Sequence, residues 1–375
     1  MPASSHPKSY YSKSAKFSER LAADLDGIFS GQRQLPPISE LTERYSTSRH
    51  NVRQAIDVLE QQGRLRRVSS RRIEILPATG GLSASSARLP KVISFAFVGY
   101  QDFLTNHLVQ GIGQYASRQG LRFQLINSTE SFTPVCNALA APWQFCGDGV
   151  ILMPFDHEKY TATFQQLHRL GFPMVVIGSE IKDVPFSFVG GDDFGGTFFA
   201  TMELIRRYGQ APYFLYDFGN NDVLRRRLAY EKAMQEAGMG EQVATHTLYL
   251  GDESGQPTHW GLESQLGSHW VERICDILPD LPRPASIVCV TDYIALNLYE
   301  AARRCGLRVG TDLKVIGFGN NPQGERVSPP LSTIGIDGVQ LGFQAAKLLH
   351  SIITCNLNAP IHIHVPFTPI HRGSD

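Results

Sequence analysis

The 375-residue chain lacks several features that would each define a class of protein. Its six cysteines are scattered without a C-x-x-C pair, which argues against a disulfide framework or a zinc site and favours a reducing, cytosolic setting. It contains no run of about 18 apolar residues, so we expect no membrane span. The start of the chain has no continuous apolar segment of the kind that marks a secretory signal.

Signatures of catalysis are also missing. The sequence contains no G-x-S-x-G nucleophile elbow, no Walker A loop and no H-E-x-x-H pair. The glycine-rich stretch VGGDDFGG at 189–196 lacks the G-x-G-x-x-G order of a dinucleotide site. We therefore expect a binding protein without a cofactor or a metal, and not an enzyme.

The net charge is zero, but the charge is unevenly distributed along the chain. Residues 1–80 contain 13 basic and 8 acidic residues, a net of +5, which leaves −5 for the remainder. Six of the arginines fall within residues 44–67. Chance clustering could produce so modest an excess. The asymmetry nevertheless suggests that only the basic head meets a polyanion.

The head has the pattern of a winged helix-turn-helix. Pro36-Pro37 separate a first helix from a second near residues 38–45, and Ser48 is suited to cap a third. Two short strands joined by VSSRR follow. Apolar residues at helical or strand spacing predict the core of this domain: Leu21, Leu25, Phe29, Val52, Ile56, Leu59, Leu65, Ile73 and Ile75. We assign 17–76 to this α+β domain, 1–16 to a disordered tail and 77–90 to a linker.

The third helix predicts contact with double-stranded DNA. Arg49 and Arg53 are four residues apart, so they project from one side near the helix start, and arginine can hold guanine in a fork. Arginines on the wing could reach the phosphate backbone. The alternative is a solvated charged face. The predicted DNA-contacting residues are Ser48, Arg49, His50, Arg53, Arg66, Arg67 and Arg71.

Residues 16–76 resemble the GntR family of winged-helix regulators. The likeness rests on Leu35-Pro36, Glu40-Leu41, TSR at 47–49, VRQAI at 52–56 and LE at 59–60. It implies that Arg49 and Arg53 touch DNA. Two departures follow: Ser39 replaces a third family arginine, and Ser69-Ser70-Arg71 replaces a Gly-x-Gly wing tip.

Beyond the linker, apolar strands alternate with helices twice. VISFAFVG at 92–99 begins the first series, and PYFLYDF at 212–218 begins the second. Such alternation predicts parallel, doubly wound sheets. Two series of similar size predict an α/β body of two lobes with a cleft between them. We expect one lobe to comprise 91–190 with 337–355, and the other 191–336 with 356–375.

The body, 91–375, resembles the effector domain of the LacI/GalR family, a type I periplasmic-binding-protein-like fold. The motifs are VGGDDFGG, RRRLAYEKAMQEAG at 225–238, TDYIAL at 291–296, GLRVGTDLKVIGFGN at 306–320 and SPPLSTI at 328–334. A GntR-type head on a LacI-type body is similar to the arabinose-repressor branch of GntR regulators. The resemblance implies a small-molecule effector, sugar or sugar derivative, in the cleft.

The resemblance assigns the effector-gripping arginine to Arg226. A guanidinium presents five donors in a fixed fork, which suits sugar hydroxyls, carboxylates or phosphates, although a plain surface position is the alternative. The family's G-F-D aspartate is replaced by Gly319, and Asn320 could substitute for it. The predicted effector-binding residues are Tyr100, Gln101, Asp102, Arg226, Thr291, Asp292 and Asn320.

Two further groups have a structural and a functional reading. Asp192-Asp193 could be a carboxylate pair or metal ligands, but capping of the helix that begins near Phe194 is the favoured reading. His362 and His364 lie on one face of a strand; with no third ligand, an exposed edge strand is favoured over zinc.

Together these features predict a homodimeric, cytoplasmic transcriptional regulator, a repressor, whose affinity for a DNA operator is set allosterically by its effector. Relief of repression is the first expectation, and corepression stays open. The competing class is a solute-binding receptor without a DNA-binding role.

Overall fold

A computed structural model gives the architecture. It describes the following residues: 17, 20–22, 24–25, 28–29, 32, 34–61, 64–69, 72–75, 91–98, 102–128, 133–154, 161–181, 184–217, 221–251, 268–355, 357 and 360–375. The chain divides into two compact units, residues 1–88 and 89–375. The expected tail and linker lie outside the described residues.

The first unit is a winged helix-turn-helix. Its helix α1 spans Ile38–Arg44 and α2 spans Arg49–Gln61, and strands β1, Leu65–Ser69, and β2, Arg72–Ile75, pair antiparallel. The sequence pattern predicted this order of elements. Its apolar side chains gather in one core: Phe17, Leu21, Leu25, Phe29, Leu35, Leu41, Val52, Ala55, Ile56, Leu59 and Leu65. Ile28, beside the first apolar series, is exposed.

The second unit contains two six-stranded sheets. The first sheet has the order β13-β7-β6-β5-β3-β4, and every neighbouring pair is parallel. Its strands are β3 (Val92–Val98), β4 (Arg122–Ser128), β5 (Gly149–Leu152), β6 (Met174–Ile177), β7 (Ser187–Gly191) and β13 (His362–Val365). Helices α3 (Phe103–Gln119), α4 (Thr133–Ala140), α5 (Pro142–Phe145), α6 (Thr161–Leu170) and α12 (Gly338–Cys355) accompany it.

The second sheet has the order β14-β12-β11-β10-β8-β9, and only its edge pair β12–β14 is antiparallel. Its strands are β8 (Tyr213–Tyr216), β9 (Thr247–Tyr249), β10 (Ala285–Cys289), β11 (Leu313–Phe318), β12 (Ser332–Ile336) and β14 (Phe367–Ile370). Its helices are α7 (Asp193–Tyr208), α8 (Asn221–Glu236), α9 (Val243–His246), α10 (Ser268–Ile277) and α11 (Asp292–Arg304). Near-continuous apolar strands such as β10 and β11 fit burial on both faces of this sheet.

The main chain passes between the lobes at three places. These lie between β7 and α7, between β12 and α12, and between β13 and β14. The amide of Asp192 donates to the carbonyl of Val365 at 2.9 Å, so two of the crossings are hydrogen-bonded to each other. Our assignment of 356–375 wholly to the second lobe is wrong, because His362–Val365 pairs with Ser187–Gly191 in the first sheet. The error arose because β13 is placed by its pairing with β7, a strand that lies far away in the sequence. Local spacing of residues does not reveal such a pairing.

Two helices of the first lobe pack at unusually close range. A Cβ on Gly111 of α3 would lie 2.0 Å from the Val339 carbonyl oxygen, and one on Gly342 of α12 would lie 2.2 Å from the Leu108 carbonyl oxygen. The helix backbones therefore touch at these glycines. Along the same pair of helices, Tyr115 Oη lies 3.0 Å from His350 Nδ1.

The close packing at Gly111 predicts that alanine substitutions at two glycines of α3 have opposite effects on stability. Gly111→Ala places a methyl group against backbone that cannot yield, and we expect a loss of about 1–3 kcal/mol in the free energy of unfolding. Gly113→Ala meets open space, so we expect it to gain about 0.5–1 kcal/mol from helix propensity. Urea denaturation of both variants is the measurement. Equal effects of the two substitutions would contradict the packing described.

Candidate functional site

The N-terminus of α2 is organised by Ser48. The amide of Asn51 donates to Ser48 Oγ at 3.2 Å, and the amide of Val52 donates to the Ser48 carbonyl at 3.1 Å. Asn51 Nδ2 also donates to Thr47 Oγ1 at 3.1 Å. The predicted N-cap is therefore confirmed, and the helix begins at Arg49.

One face of α2 is buried and the other presents basic side chains. Val52, Ile56 and Leu59 are fully buried, whereas Arg49, His50 and Arg53 are exposed. In the part of the chain that the structure describes, no carboxylate lies within ion-pair distance of Arg49 or Arg53. Both guanidinium groups are thus available to an outside anion.

The arginines of the hairpin differ from those of the helix, because acidic neighbours hold them. Arg66 Nη2 donates to Glu74 Oε2 at 2.7 Å, and this hydrogen bond lowers the pKa of Glu74. Arg67 Nη2 donates to Asp57 Oδ1 at 2.7 Å, and its amide donates to Glu60 Oε1 at 2.9 Å. The contacts of Arg67 join the wing to the C-terminal half of α2. Arg71, also predicted to bind DNA, lies outside the described residues.

In the second unit, three of the predicted effector residues lie at the carboxyl ends of strands β10 and β11. Thr291 and Asp292 follow β10, and Asn320 follows β11. The strand order reverses between β8 and β10: the chain runs from β8 to β9 towards one edge of the sheet and from β10 to β11 towards the other. In open α/β sheets, ligands bind in the crevice beyond the carboxyl ends of strands at such a point.

Arg226 of α8 is fixed at this edge by three kinds of contact. Its Nε and Nη2 donate to Asp193 Oδ1 at 2.9 and 2.7 Å, and its Nη1 donates to the Val290 carbonyl at 2.7 Å. The guanidinium carbon lies 3.7 Å from the centroid of the Phe318 ring. The side chains of Arg226 and Asp193 are 15% and 8% exposed, which excludes the surface alternative for Arg226.

The two adjacent aspartates of the VGGDDFGG stretch make different contacts: one caps a helix and the other forms an ion pair. Asp192 Oδ1 accepts from the amide of Gly195 at 2.8 Å and caps α7, as the favoured reading predicted. Asp193 is buried and pairs with Arg226. The sequence signal for that pairing was weak, because nothing in the spacing of residues 193 and 226 reveals their contact.

Thr291 and Asp292 mainly organise the protein's own loops. Thr291 Oγ1 accepts from the amide of Ile294 at 3.3 Å and caps α11. Asp292 is buried and accepts from Thr333 Oγ1 at 2.7 Å and from the amide of Asn321 at 2.6 Å. Burial raises the pKa of the Asp292 carboxyl to about 6, and these hydrogen bonds oppose the rise.

Asn320 adopts the left-handed conformation, with φ 54°. Its Oδ1 accepts from Arg372 Nη2 at 2.9 Å, so the carboxamide oxygen that could have replaced the missing aspartate already has a partner within the chain. The Arg372 guanidinium also contacts Glu325 and the Leu331 carbonyl.

The first lobe contributes Asp102. Its Oδ1 accepts from the amide of Thr105 at 2.8 Å and caps α3. Burial and, next, this carboxylate raise the pKa of the Tyr293 phenol of the second lobe. Tyr100 and Gln101, predicted beside it, lie outside the described residues.

Sequence reasoning missed a second cluster that spans the lobes. Asp222 lies in the first turn of α8. Burial and, next, the neighbouring Asp193 raise the pKa of its carboxyl to about 7. Arg225 Nη1 lies 3.5 Å from Glu180 Oε2, so this arginine of the second lobe pairs with a carboxylate of the first. Glu180 Oε1 is also 3.1 Å from His362 Nδ1.

His362 and His364 lie exposed on β13, an edge strand of the first sheet, as the favoured reading predicted. Among the described residues, no three His, Cys, Asp or Glu side chains are grouped so that they could hold a metal ion. The helices in that same portion of the chain are all too short or too polar to cross a bilayer.

A winged helix with exposed arginines and a two-lobed body with a largely enclosed arginine at its cleft define the class of ligand-responsive DNA-binding regulators. Comparison with known families agrees. Residues 16–75 match the bacterial regulatory proteins of the gntR family, and residues 213–374 match the periplasmic binding protein-like domain. The chain thus carries a GntR-family DNA-binding domain and a periplasmic-binding-protein-like domain.

Several transcriptional regulators are similar to this chain. The arabinose metabolism transcriptional repressor of Halalkalibacterium halodurans is 24% identical over 336 residues, which cover 88% of this chain and 86% of that protein. A ribose-bound LacI-family regulator from Enterococcus faecium superposes with TM-score 0.62 at 20% identity, over 76% of this chain and 98% of that one. The operator-bound lac repressor dimer gives TM-score 0.62 at 18% identity, over 77% and 95%.

The Arg226–Asp193 pair predicts a strong, asymmetric response to substitution. Arg226→Met leaves a buried carboxylate without its partner, and we expect a loss of about 3 kcal/mol in the free energy of unfolding at neutral pH. Adding Asp193→Asn should recover most of that loss, because the uncompensated charge is then gone. Urea denaturation of both single variants and the double variant tests this. Additive losses in the double variant would show that the two side chains do not interact.

Proposed function

We propose that this chain is a cytoplasmic transcriptional repressor that binds a DNA operator as a homodimer and responds to a sugar-like effector. The observation that carries the proposal is the contrast between its arginines. Arg49 and Arg53 are exposed, and among the described residues no carboxylate pairs with either of them, whereas the side chain of Arg226 is 15% exposed and pairs with Asp193. One chain thereby joins a surface for a polyanion to a site for a small molecule.

For the head, α2 enters the major groove in the proposed complex. Double-stranded DNA presents about one negative charge per 1.7 Å of axis, and a guanidinium can grip O6 and N7 of guanine. Arg49 and Arg53 contact base edges, while Ser48 and His50 lie beside the DNA backbone at the N-terminus of α2. Arg66 and Arg67 keep donors to spare after binding Glu74 and Asp57, because a guanidinium has five, and these reach the flanking phosphates.

For the body, the proposal places the effector between the lobes, against Arg226. The arabinose metabolism repressor carries the name of a sugar, and the superposed Enterococcus regulator holds ribose.

Dimerisation supplies both specificity and control. One winged helix covers one half-site, so two copies are needed for a two-fold symmetric operator; the superposed lac repressor is a dimer on its operator. Effector binding closes the lobes and alters the spacing of the heads. This controls DNA binding only if the effector prefers one arrangement, because equal affinity shifts no population.

We expect Arg49→Ala and Arg53→Ala each to weaken operator binding by about 1–3 kcal/mol, because each removes a contact at a base edge. Fluorescence anisotropy with operator fragments recovered from genomic DNA is the measurement. Arg303→Ala, which removes an exposed arginine paired with Glu300 on the body, serves as the control and should bind normally. Unchanged affinity in both head variants would remove α2 as the recognition helix.

We expect a cognate effector to stabilise the body and to release the operator. At 100 times its dissociation constant, a ligand that binds only the folded state adds about 2.7 kcal/mol. A thermal-shift screen of sugars, sugar phosphates and small acids, followed by gel shift with each stabilising compound, tests both expectations. Absence of DNA retardation under every effector condition would favour a solute-binding receptor instead.

A further inference from the structure

Asp57 lies on the exposed side of α2, one turn after an arginine that is proposed to meet DNA. Arg53 and Asp57 are four residues apart, so their side chains are neighbours on the helix surface, and both are exposed. A carboxylate without a cation at this place would repel the phosphates of an operator. In the part of the head that the structure describes, Asp57 does not pair with Arg53 but with Arg67 of the wing.

Arg67 reaches α2 from strand β1 with both its side chain and its main chain. Its Nη2 donates to Asp57 Oδ1 at 2.7 Å and lies 3.6 Å from Glu60 Oε2, and its amide donates to Glu60 Oε1 at 2.9 Å. The position of this one wing residue is therefore set by the helix. Within the described residues, Nε and Nη1 of Arg67 donate to no acceptor of the protein, so they are open to a phosphate oxygen.

The adjacent arginine of the same strand is held in a different way. Successive side chains of a strand point to opposite faces, and Leu65, two residues before Arg67, is buried in the core of the head. Arg66 points the other way, and its Nη2 donates at 2.7 Å to Oε2 of Glu74, the residue directly opposite on β2. The described contact of Arg66 thus lies within the hairpin, whereas the contacts of Arg67 connect the hairpin to the proposed recognition helix.

We propose that Asp57 is a positioning residue for DNA recognition: it holds the Arg67 guanidinium beside α2, where the remaining donors of Arg67 contact a phosphate next to the bases that Arg53 meets. This inference rests on the proposed function, because it requires that α2 is the recognition helix. A long side chain that is already held in one orientation loses less freedom when it binds. An acidic residue thereby favours the binding of a polyanion.

The sign of one substitution separates positioning from simple charge repulsion. Asp57→Asn removes a negative charge from a surface that faces DNA, so charge alone would tighten operator binding. Because the carboxylate positions Arg67, we expect the same change to weaken binding through loss of a phosphate contact. One such contact changes the slope of log K against log salt by about 0.9, which amounts to about fivefold in affinity at about 0.15 M salt.

The test uses the full-length protein and an operator fragment recovered from genomic DNA. Fluorescence anisotropy between about 50 and 200 mM salt gives both the affinity and its salt slope. We expect Asp57→Asn and Arg67→Ala each to bind at least about fivefold more weakly, with a slope that is shallower by about one. The double variant should bind no more weakly than Arg67→Ala alone, because both substitutions remove the same phosphate contact.

Two further variants serve as controls. Asp57→Glu keeps the carboxylate and should recover most of the affinity and of the salt slope. Glu74→Gln makes the matched charge change beside Arg66, and it should bind at least as tightly as the unaltered protein, because the Glu74 contact lies within the hairpin. The side chains of Asp57 and Arg67 are 56% and 45% exposed, so their pair contributes little to stability, and the urea-unfolding transition of each Asp57 variant should be unchanged.

The outcomes distinguish this inference from the proposed function. Tighter binding or an unchanged salt slope in Asp57→Asn overturns the inference, and it leaves the repressor intact as long as Arg49→Ala and Arg53→Ala still weaken binding. A double variant that loses the product of the two single effects also overturns it. If the unaltered protein binds no genomic fragment, the proposed function fails and this inference falls with it.

Discussion

The buried ion pair between Arg226 and Asp193 is the contact on which the ligand-binding edge depends. Removal of two charges from water is costly, and mutual attraction offsets that cost only when further hydrogen bonds satisfy the remaining donors and acceptors. Here the Val290 carbonyl and the Phe318 ring complete the shell of Arg226. The pair joins the start of α7 to α8 and to the end of β10, so three elements around the cleft share one electrostatic contact.

Arginine serves different purposes in the two units. On the head, Arg49 and Arg53 remain exposed, and their charge faces outwards. On the hairpin, Arg67 is occupied by Asp57 and Glu60, and it fixes the wing to the recognition helix. In the body, Arg226 is almost enclosed. The difference comes from whether a carboxylate lies within reach. In the proposed function, the exposed guanidinium groups meet DNA and the enclosed one meets the effector.

Much of the fold was accessible from sequence because it depends on local spacing. The buried series Val52, Ile56 and Leu59, the cap at Ser48 and the two alternating α/β series all appear in the structure. The family resemblance located Arg226. The partners of Arg226 and Arg225 were not accessible, because they come from segments far apart in the chain. The position of β13 was misassigned for the same reason, since its pairing with β7 joins residues that lie more than 170 positions apart.

Asn320 and Thr291 illustrate a different limit. Their residue types suit a ligand, but the protein itself uses their polar atoms, one for Arg372 and one for a helix cap. Residue type reports what a side chain can bond, whereas only the folded chain shows which bonds are already made.

The three crossings of the main chain limit how the lobes can move. Sliding would have to stretch all three connections and break the Asp192–Val365 hydrogen bond, whereas a small rotation about the line of crossings leaves each of them at its length. The three connections therefore favour a rotation of one lobe against the other, so a bound molecule would act by changing the angle between the lobes.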